Sequence, residues 1–282
     1  KPQAISGAIQ YDLQIAQLYA LLGKEELMIK QYFNFLLRNP NKKKVVFTSI
    51  QRFLNNNGIK NENNYLIVKK ALLKTSKLHP DRADFNEMLI WFFMQNKQYK
   101  SALNHVVSLD RRSGNSLSSI YDIGEALLDL EKYPLSIQAF DYIISKGFKS
   151  NLYIDAHINK LYALTKSINE NSEDIKSIDQ KYSQIIDEVG VNRYSILLVS
   201  NYAHFKAFYL NDLTSAIDIL DDVMIMSKID KLDLAECKIQ YADIMLLSGN
   251  IWDALLFYSQ VEKDFKEHPI GHKAKFKRAK IA

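Results

Sequence analysis

Six histidines (His79, His105, His157, His204, His268 and His272), one cysteine and the adjacent carboxylates Asp221 and Asp222 are the residues whose chemistry could go beyond packing. A helical metal pair needs two imidazoles one turn apart on one face. Only His268 and His272 have that spacing, and Pro269 and Gly271 between them argue against a helical pair. Neighbouring residues on a helix face different ways, so Asp221 and Asp222 read as solvated charges. Cys237 shares the apolar spacing of Leu234 and Tyr241 and reads as a small buried hydrophobe. It has no partner for a disulfide or a thiolate metal site. A G-x-S-x-G turn and a Walker loop are both missing from the sequence. These residues point to no enzyme, no cofactor and no metal.

The elements that would position any site come next. At roughly 150 residues per domain, 282 residues make about two domains or one long repetitive array. A composition of 47% hydrophobic and 24% charged residues excludes a disordered tail. Gly (9) and Pro (5) are scarce, which disfavours glycine-rich nucleotide loops and turn-dense sandwiches and favours helices on short connections. No apolar run approaches the ~20 residues of a membrane span. The net charge of +5 is spread out, apart from Lys42-Lys43-Lys44 and Lys273, Lys275, Lys277, Arg278 and Lys280. Nucleic-acid binders concentrate charge on one face, so no nucleic-acid partner is expected. A single cysteine suits a reducing cytoplasm and a disulfide-poor bacterial periplasm alike. The chain starts at Lys1-Pro2 and ends without a helix stop signal, so it is expected to be a piece of a longer protein.

Apolar spacing is helical almost throughout, as in Leu13, Ala16, Tyr19 and Ala20, or Met88, Leu89, Phe92 and Phe93. Turn signals recur at Gly23, Asn39-Pro40, Asn55 to Gly58, His79-Pro80, Arg112 to Asn115, Gly147, Gly190, Asn211-Asp212, Gly249-Asn250 and His268-Pro269. They delimit about fifteen segments of antiparallel-helix length. Small residues recur in register at Ala102, Ser136, Ala216 and Ala254, spaced by 34, 80 and 38 residues. Each follows a similar text: Asn96 to Ser101, Leu130 to Leu135, Leu210 to Ser215, and Ser248 to Asp253. A tight turn followed by a small residue describes a helix hairpin whose second helix lies close against the first.

This pattern resembles the tetratricopeptide repeat family. The first unit supplies Ile15, Ala16, Tyr19, Gly23, Met28, Tyr32 and Pro40, the fourth Ile123, Gly124, Leu127, Ser136 and Phe140, and the last complete one Tyr241, Ala242, Met245, Gly249, Ala254 and Tyr258. The resemblance implies an all-α fold, an α-solenoid of antiparallel helix pairs wound as a right-handed superhelix. It spans residues 1–282 as a single array, with units near 9–40, 42–80, 83–114, 117–148, 151–190, 193–228, 231–268 and a partial unit 270–282. Two units depart from the pattern: 42–80 keeps only Pro80, and 151–190 carries an elongated linker from Asn169 to Ser177. Leu89 to Lys97, Ala207 to Leu213 and Tyr258 to Lys266 are similar to a long exported repeat protein of the Bacteroidota. That implies the middle portion of a bacterial periplasmic or envelope protein, with a cytoplasmic location as the alternative.

In the tetratricopeptide family the first helix of each pair lines a concave face. The resemblance places binding positions at Leu13/Gln17, Glu87/Trp91, Tyr121/Glu125, Asn201/Phe205 and Ile239/Asp243. It implies a non-catalytic interaction scaffold that takes a protein or peptide partner. Glu87, Glu125 and Asp243 would suit a neutral or basic segment, and Trp91, Tyr121 and Phe205 would anchor it, beside Asn201. An alternative reading attaches to His79-Pro80-Asp81, which follows a basic helix from Val68 to Leu78 with Gly58-Ile59 upstream. This resembles the second helix and loop of a J-domain co-chaperone. The competing explanation is a repeat helix closing on Pro80 with Asp81 as the next N-cap. The group Tyr202, Phe205, Phe208 and Tyr209 reads as core before it reads as a peptide shelf. At the end of the chain, Ala274, Phe276, Ala279 and Ile281 are expected to leave an apolar edge on a last helix packed against residues 250–266. The residues specify no oligomeric state.

Overall fold

The computed structural model describes residues 5–55, 62–168 and 172–281. Among them are fifteen α-helices, two single 3-10 turns and no strand. The chain divides into two compact units that meet in sequence at Ser116 and Leu117. The first unit holds α1 (Ile5–Leu21), α2 (Glu25–Arg38), α3 (Lys43–Leu54), α4 (Glu62–Leu78), α5 (Ala83–Gln95) and α6 (Tyr99–Ser113). The second holds α7 (Leu117–Asp129), α8 (Tyr133–Ile144), α9 (Tyr153–Ser167), α10 (Ser172–Val189), α11 (Ile196–Tyr209), α12 (Leu213–Ile225), α13 (Lys231–Leu247), α14 (Ile251–Asp264) and α15 (Pro269–Ala279). Helix ends fall within a few residues of the turn signals. The expected linker to Ser177 is a correction: α10 is already helical at Ser172 and runs for 18 residues. Its Ile175, Ile178, Tyr182, Ile185 and Ile186 recur at helical spacing and join one apolar cluster, which carries the helix through the polar text.

One turn is used repeatedly. Gly23, Lys97, Glu131 and Gly249 all sit in the left-handed region, with φ between 55° and 85°. Each donates its N–H to the carbonyl three residues back, and the next residue donates to the carbonyl five back, as in Lys132 N to Leu127 O at 2.8 Å. This is the Schellman closure, which satisfies carbonyls that a helix end would otherwise leave bare. Five residues beyond each left-handed residue stands a buried one: Met28, Ala102, Ser136 and Ala254, the last three with no exposed surface. Asn211 and Ala216 repeat the arrangement with a slightly wider turn. The return helix therefore starts at a fixed distance and angle, and its small residue faces the first helix. At Ser136 the hydroxyl donates to Gly124 O across the hairpin, at 2.9 Å.

In the first unit, Phe33 meets Phe85 edge-on at 5.4 Å and Tyr65 stacks on Phe92 at 4.9 Å, around buried Leu36, Ile50 and Leu72. In the second, Tyr182, Tyr202, Phe205 and Tyr209 form a continuous aromatic stack between α10 and α11. Cys237 is fully buried, and burial pushes its thiol up to about 11. Asp221 is not merely solvated, because Tyr241 donates its hydroxyl to it at 2.5 Å.

The end of the chain also differs from expectation. Helix α15 packs on α14, as the sequence implied, and on α13 as well. Gly271 makes that packing possible, because a Cβ there would lie 1.9 Å from Phe265 O. Buried Ala274 and Ile270 face inward, but the outer face is basic, with Phe276 as its one large exposed apolar residue.

His157 on α9 is only 7% exposed, and neither ring nitrogen has a hydrogen-bond partner among the described residues. Burial is the main reason that its pKa falls to about 4, and the charge of Lys160 adds to the effect.

Two predictions follow from the turns and from this imidazole. Glu131→Gly should stabilise the protein by about 0.5–1 kcal/mol by relieving a left-handed side-chain residue. Ala102→Leu or Ala254→Leu should cost about 1–3 kcal/mol through overpacking. Urea melts measure both, and an unchanged midpoint in all three variants would refute the hairpin geometry. For His157 the unfolded imidazole protonates near 6.5 and the folded one near 4. The stability it confers is full above about pH 6.5 and is lost as pH falls toward 4. His157→Leu should therefore gain on the parent protein steadily across that window. A stability gap that does not change with pH would contradict this burial.

Candidate interaction surface

Within each unit, polar residues bridge odd-numbered helices. In the first unit, Lys43 of α3 forms an ion pair with Glu87 of α5. One turn further on, Phe47 packs on Trp91 at 4.6 Å. In the second unit, Asn159 of α9 donates to the Tyr121 hydroxyl at 2.9 Å and to Glu125 at 3.4 Å, both on α7. Gln240 of α13 donates to Asn201 of α11 at 2.8 Å and accepts from buried Ser200 at 2.7 Å. Lys277 of α15 donates to both oxygens of Asp243 on α13, at 2.8 and 2.9 Å, and Tyr258 of α14 donates to the same carboxylate. Lys273 pairs with Glu236 at 2.6 Å, and Arg278 with Glu262 at 2.8 Å.

The candidate residues thus have unequal surroundings. Glu87 and Asp243 are already matched by lysines, so their charge is spent within the fold. Phe205 is 2% exposed and belongs to the core stack, while Phe208 is 44% exposed and stacks on His204 at 4.3 Å. Asn201 is occupied by Gln240. Trp91 is half-buried beside Phe47 and borders a hollow with Tyr65 and Gln95.

Tyr121 and Glu125 keep the most free chemistry. Glu125 is exposed and so is Asp155 on α9, and among the described residues neither forms an ion pair with a cation. Burial first, then the charges of Glu125 and Asp155, raise the Tyr121 hydroxyl above its ordinary range. That hydroxyl stays protonated as a neutral polar group between two acids. The spacing of Asp155 and Asn159 places them at the same register positions as Tyr121 and Glu125, one unit later. The sequence reading passed over them because unit 151–190 matched the repeat poorly.

The His79-Pro80-Asp81 segment is a turn between α4 and α5. Asn86 donates to Pro80 O at 3.0 Å and accepts from buried Ser76 at 2.6 Å. The N-cap of α5 is Arg82, not Asp81. Its guanidinium donates to the carbonyls of Leu36 and Leu37 at 3.0 Å and holds the Asp84 carboxylate through Nε and Nη2. The turn therefore ties α4 and α5 to the end of α2. Gly58 and Ile59 lie outside the described residues. His268 is the N-cap of α15, accepting from Ile270 N, and His272 is exposed within that helix. Among the described residues no group of three His, Cys, Asp or Glu could hold a metal, and no helix is long and apolar enough to cross a membrane.

No family model matches the sequence, and no curated protein does. Among solved structures, the fold is similar to a tetratricopeptide repeat protein from Parabacteroides merdae, with 13% identity and a TM-score of 0.46 over 95% of this chain and 98% of that one. It is also similar to the apo form of the quorum sensor NprR from B. thuringiensis, with 12% identity and a TM-score of 0.47 over 93% of this chain and 82% of that one. At such identities a likeness concerns the fold alone. The chain's own turns and lateral contacts are those of repeated antiparallel helix hairpins.

Proposed function

We propose that this protein is a non-catalytic interaction scaffold that holds a partner segment against the faces of odd-numbered helices within its second unit. The α7–α9 face is the main contact in this reading. The observation that carries it is the pair of exposed acids, Glu125 and Asp155, left without a cation beside Tyr121 and Asn159. Glu87, Glu236 and Asp243 on other odd-numbered helices are each paired with a lysine of the fold. A partner lysine or arginine would gain most between Glu125 and Asp155. The Tyr121 ring and amphipathic Asn159 supply apolar and hydrogen-bonding contact around it. Glu87, Trp91, Asn201, Phe205 and Asp243 would then act mainly by fixing the helices of their own units.

The test is fluorescence anisotropy with labelled peptides that carry Lys or Glu on either side of a Leu. The basic peptide should bind better than the acidic one, and more weakly as salt rises. Glu125→Lys and Asp155→Lys should each weaken the basic peptide by about two- to fivefold, the range of exposed ion pairs. Equal binding of both peptides, or no effect of either variant, would remove the basis of this reading.

A further inference from the structure

A second surface lies on the even-numbered helices of the first unit and is independent of the reading above. Helices α2 and α4 pack together and leave a groove of about 330 Å³ between them. From α4 it is lined by Ile67, Lys70, Ala71, Lys74 and Leu78, at helical spacings that make one continuous face. From α2 it is lined by Glu26, Lys30, Phe33 and Leu37, again one face. Twelve residues of helix on each wall, Glu26 to Leu37 and Ile67 to Leu78, make the groove roughly 16 Å long, about three helical turns. Its floor is apolar. Phe33 is buried beneath it, Leu37, Ile67 and Ala71 are partly open, and Leu78 is 64% exposed.

The rim is predominantly basic. Lys30 stands on the α2 side, and Lys70 and Lys74 on the α4 side. All three are exposed, and none forms an ion pair with a carboxylate among the described residues. Glu26 is the only acid lining the groove. An apolar trough of three turns with cations on both banks is complementary to an amphipathic helix. Such a helix would place an apolar stripe at i, i+4, i+7 and i+11 on the floor and carboxylates along both flanks.

We propose that the α2–α4 groove is a docking site for an acidic amphipathic helix of a protein partner. A polyanion such as RNA would use the lysines but leave Leu37, Ile67 and Leu78 in water. The apolar floor therefore favours the helix. Docking covers those side chains while each lysine gains the carboxylate it lacks.

The test uses the whole chain and a labelled fourteen-residue peptide with Leu at i, i+4, i+7 and i+11 and Glu at the flanking positions. A scrambled peptide of the same composition, a Lys-for-Glu peptide and single-stranded RNA serve as comparisons. The amphipathic acidic peptide should bind at least about tenfold better than the scrambled one. Lys70→Glu with Lys74→Glu, both on exposed side chains, should cost about tenfold and transfer preference to the Lys-for-Glu peptide. Ala71→Trp, which fills the trough, should weaken the acidic peptide without that transfer. Glu125→Lys should leave binding of the acidic peptide, and its loss on Lys70→Glu with Lys74→Glu, unchanged, which separates this site from the α7–α9 face. Equal binding of the scrambled peptide, displacement by RNA as efficient as by the peptide, or no binding would each overturn the proposal.

Discussion

Everything in this protein depends on how each first helix stops. A Schellman closure fixes the direction of the chain at the end of the helix, and five residues later a buried residue faces the helix just left. The two events are coupled. The left-handed residue sets where the return helix begins, and Ala102, Ser136 or Ala254 sets how closely it can lie. Where the closure recurs it sets the hairpin, while lateral contacts such as Lys43 with Glu87, and Asn159 with Tyr121 and Glu125, join one first helix to another within a unit.

Those lateral contacts follow a rule of their own. Asp243 and Lys277 are 34 residues apart, Glu236 and Lys273 37, Tyr121 and Asn159 38, and Asn201 and Gln240 39. Each separation is about one repeat. Polar groups within about a turn of the same register position thus find one another, and half-buried pairs such as Lys277 with Asp243 gain more than fully exposed ones. Glu125 and Asp155 break the rule, since both are acids. Two like charges at adjacent register positions do not help the fold, and their presence next to Tyr121 and Asn159 is what singles out α7 and α9.

Helix existence and limits were legible in the sequence because the apolar spacing and the turn residues agree at nearly every hairpin. The small crossing residues were legible too, because overpacking restricts what can stand there. Lys97 and Glu131 hid their role, since a left-handed residue is ordinarily signalled by Gly or Asn. Polar α10 hid its helical start because Asn169 to Ser177 has the composition of a linker. The candidate site was half legible. Register positions led to Tyr121 and Glu125, but also to Phe205, which the aromatic stack of α10 and α11 buries. The acids Glu87 and Asp243 looked available because their lysines stand a repeat or more away in sequence, outside any local window. Asp155 and Asn159 could have been found by applying the register to the degenerate unit as well.

Hydrogen–deuterium exchange of the whole chain, with and without a saturating Lys-rich peptide, addresses the functional account most directly. The account predicts slowed exchange on α7 and α9 around Tyr121, Glu125, Asp155 and Asn159, with α8 and α10 unchanged. Peptide binding that leaves α7 and α9 unprotected would contradict it.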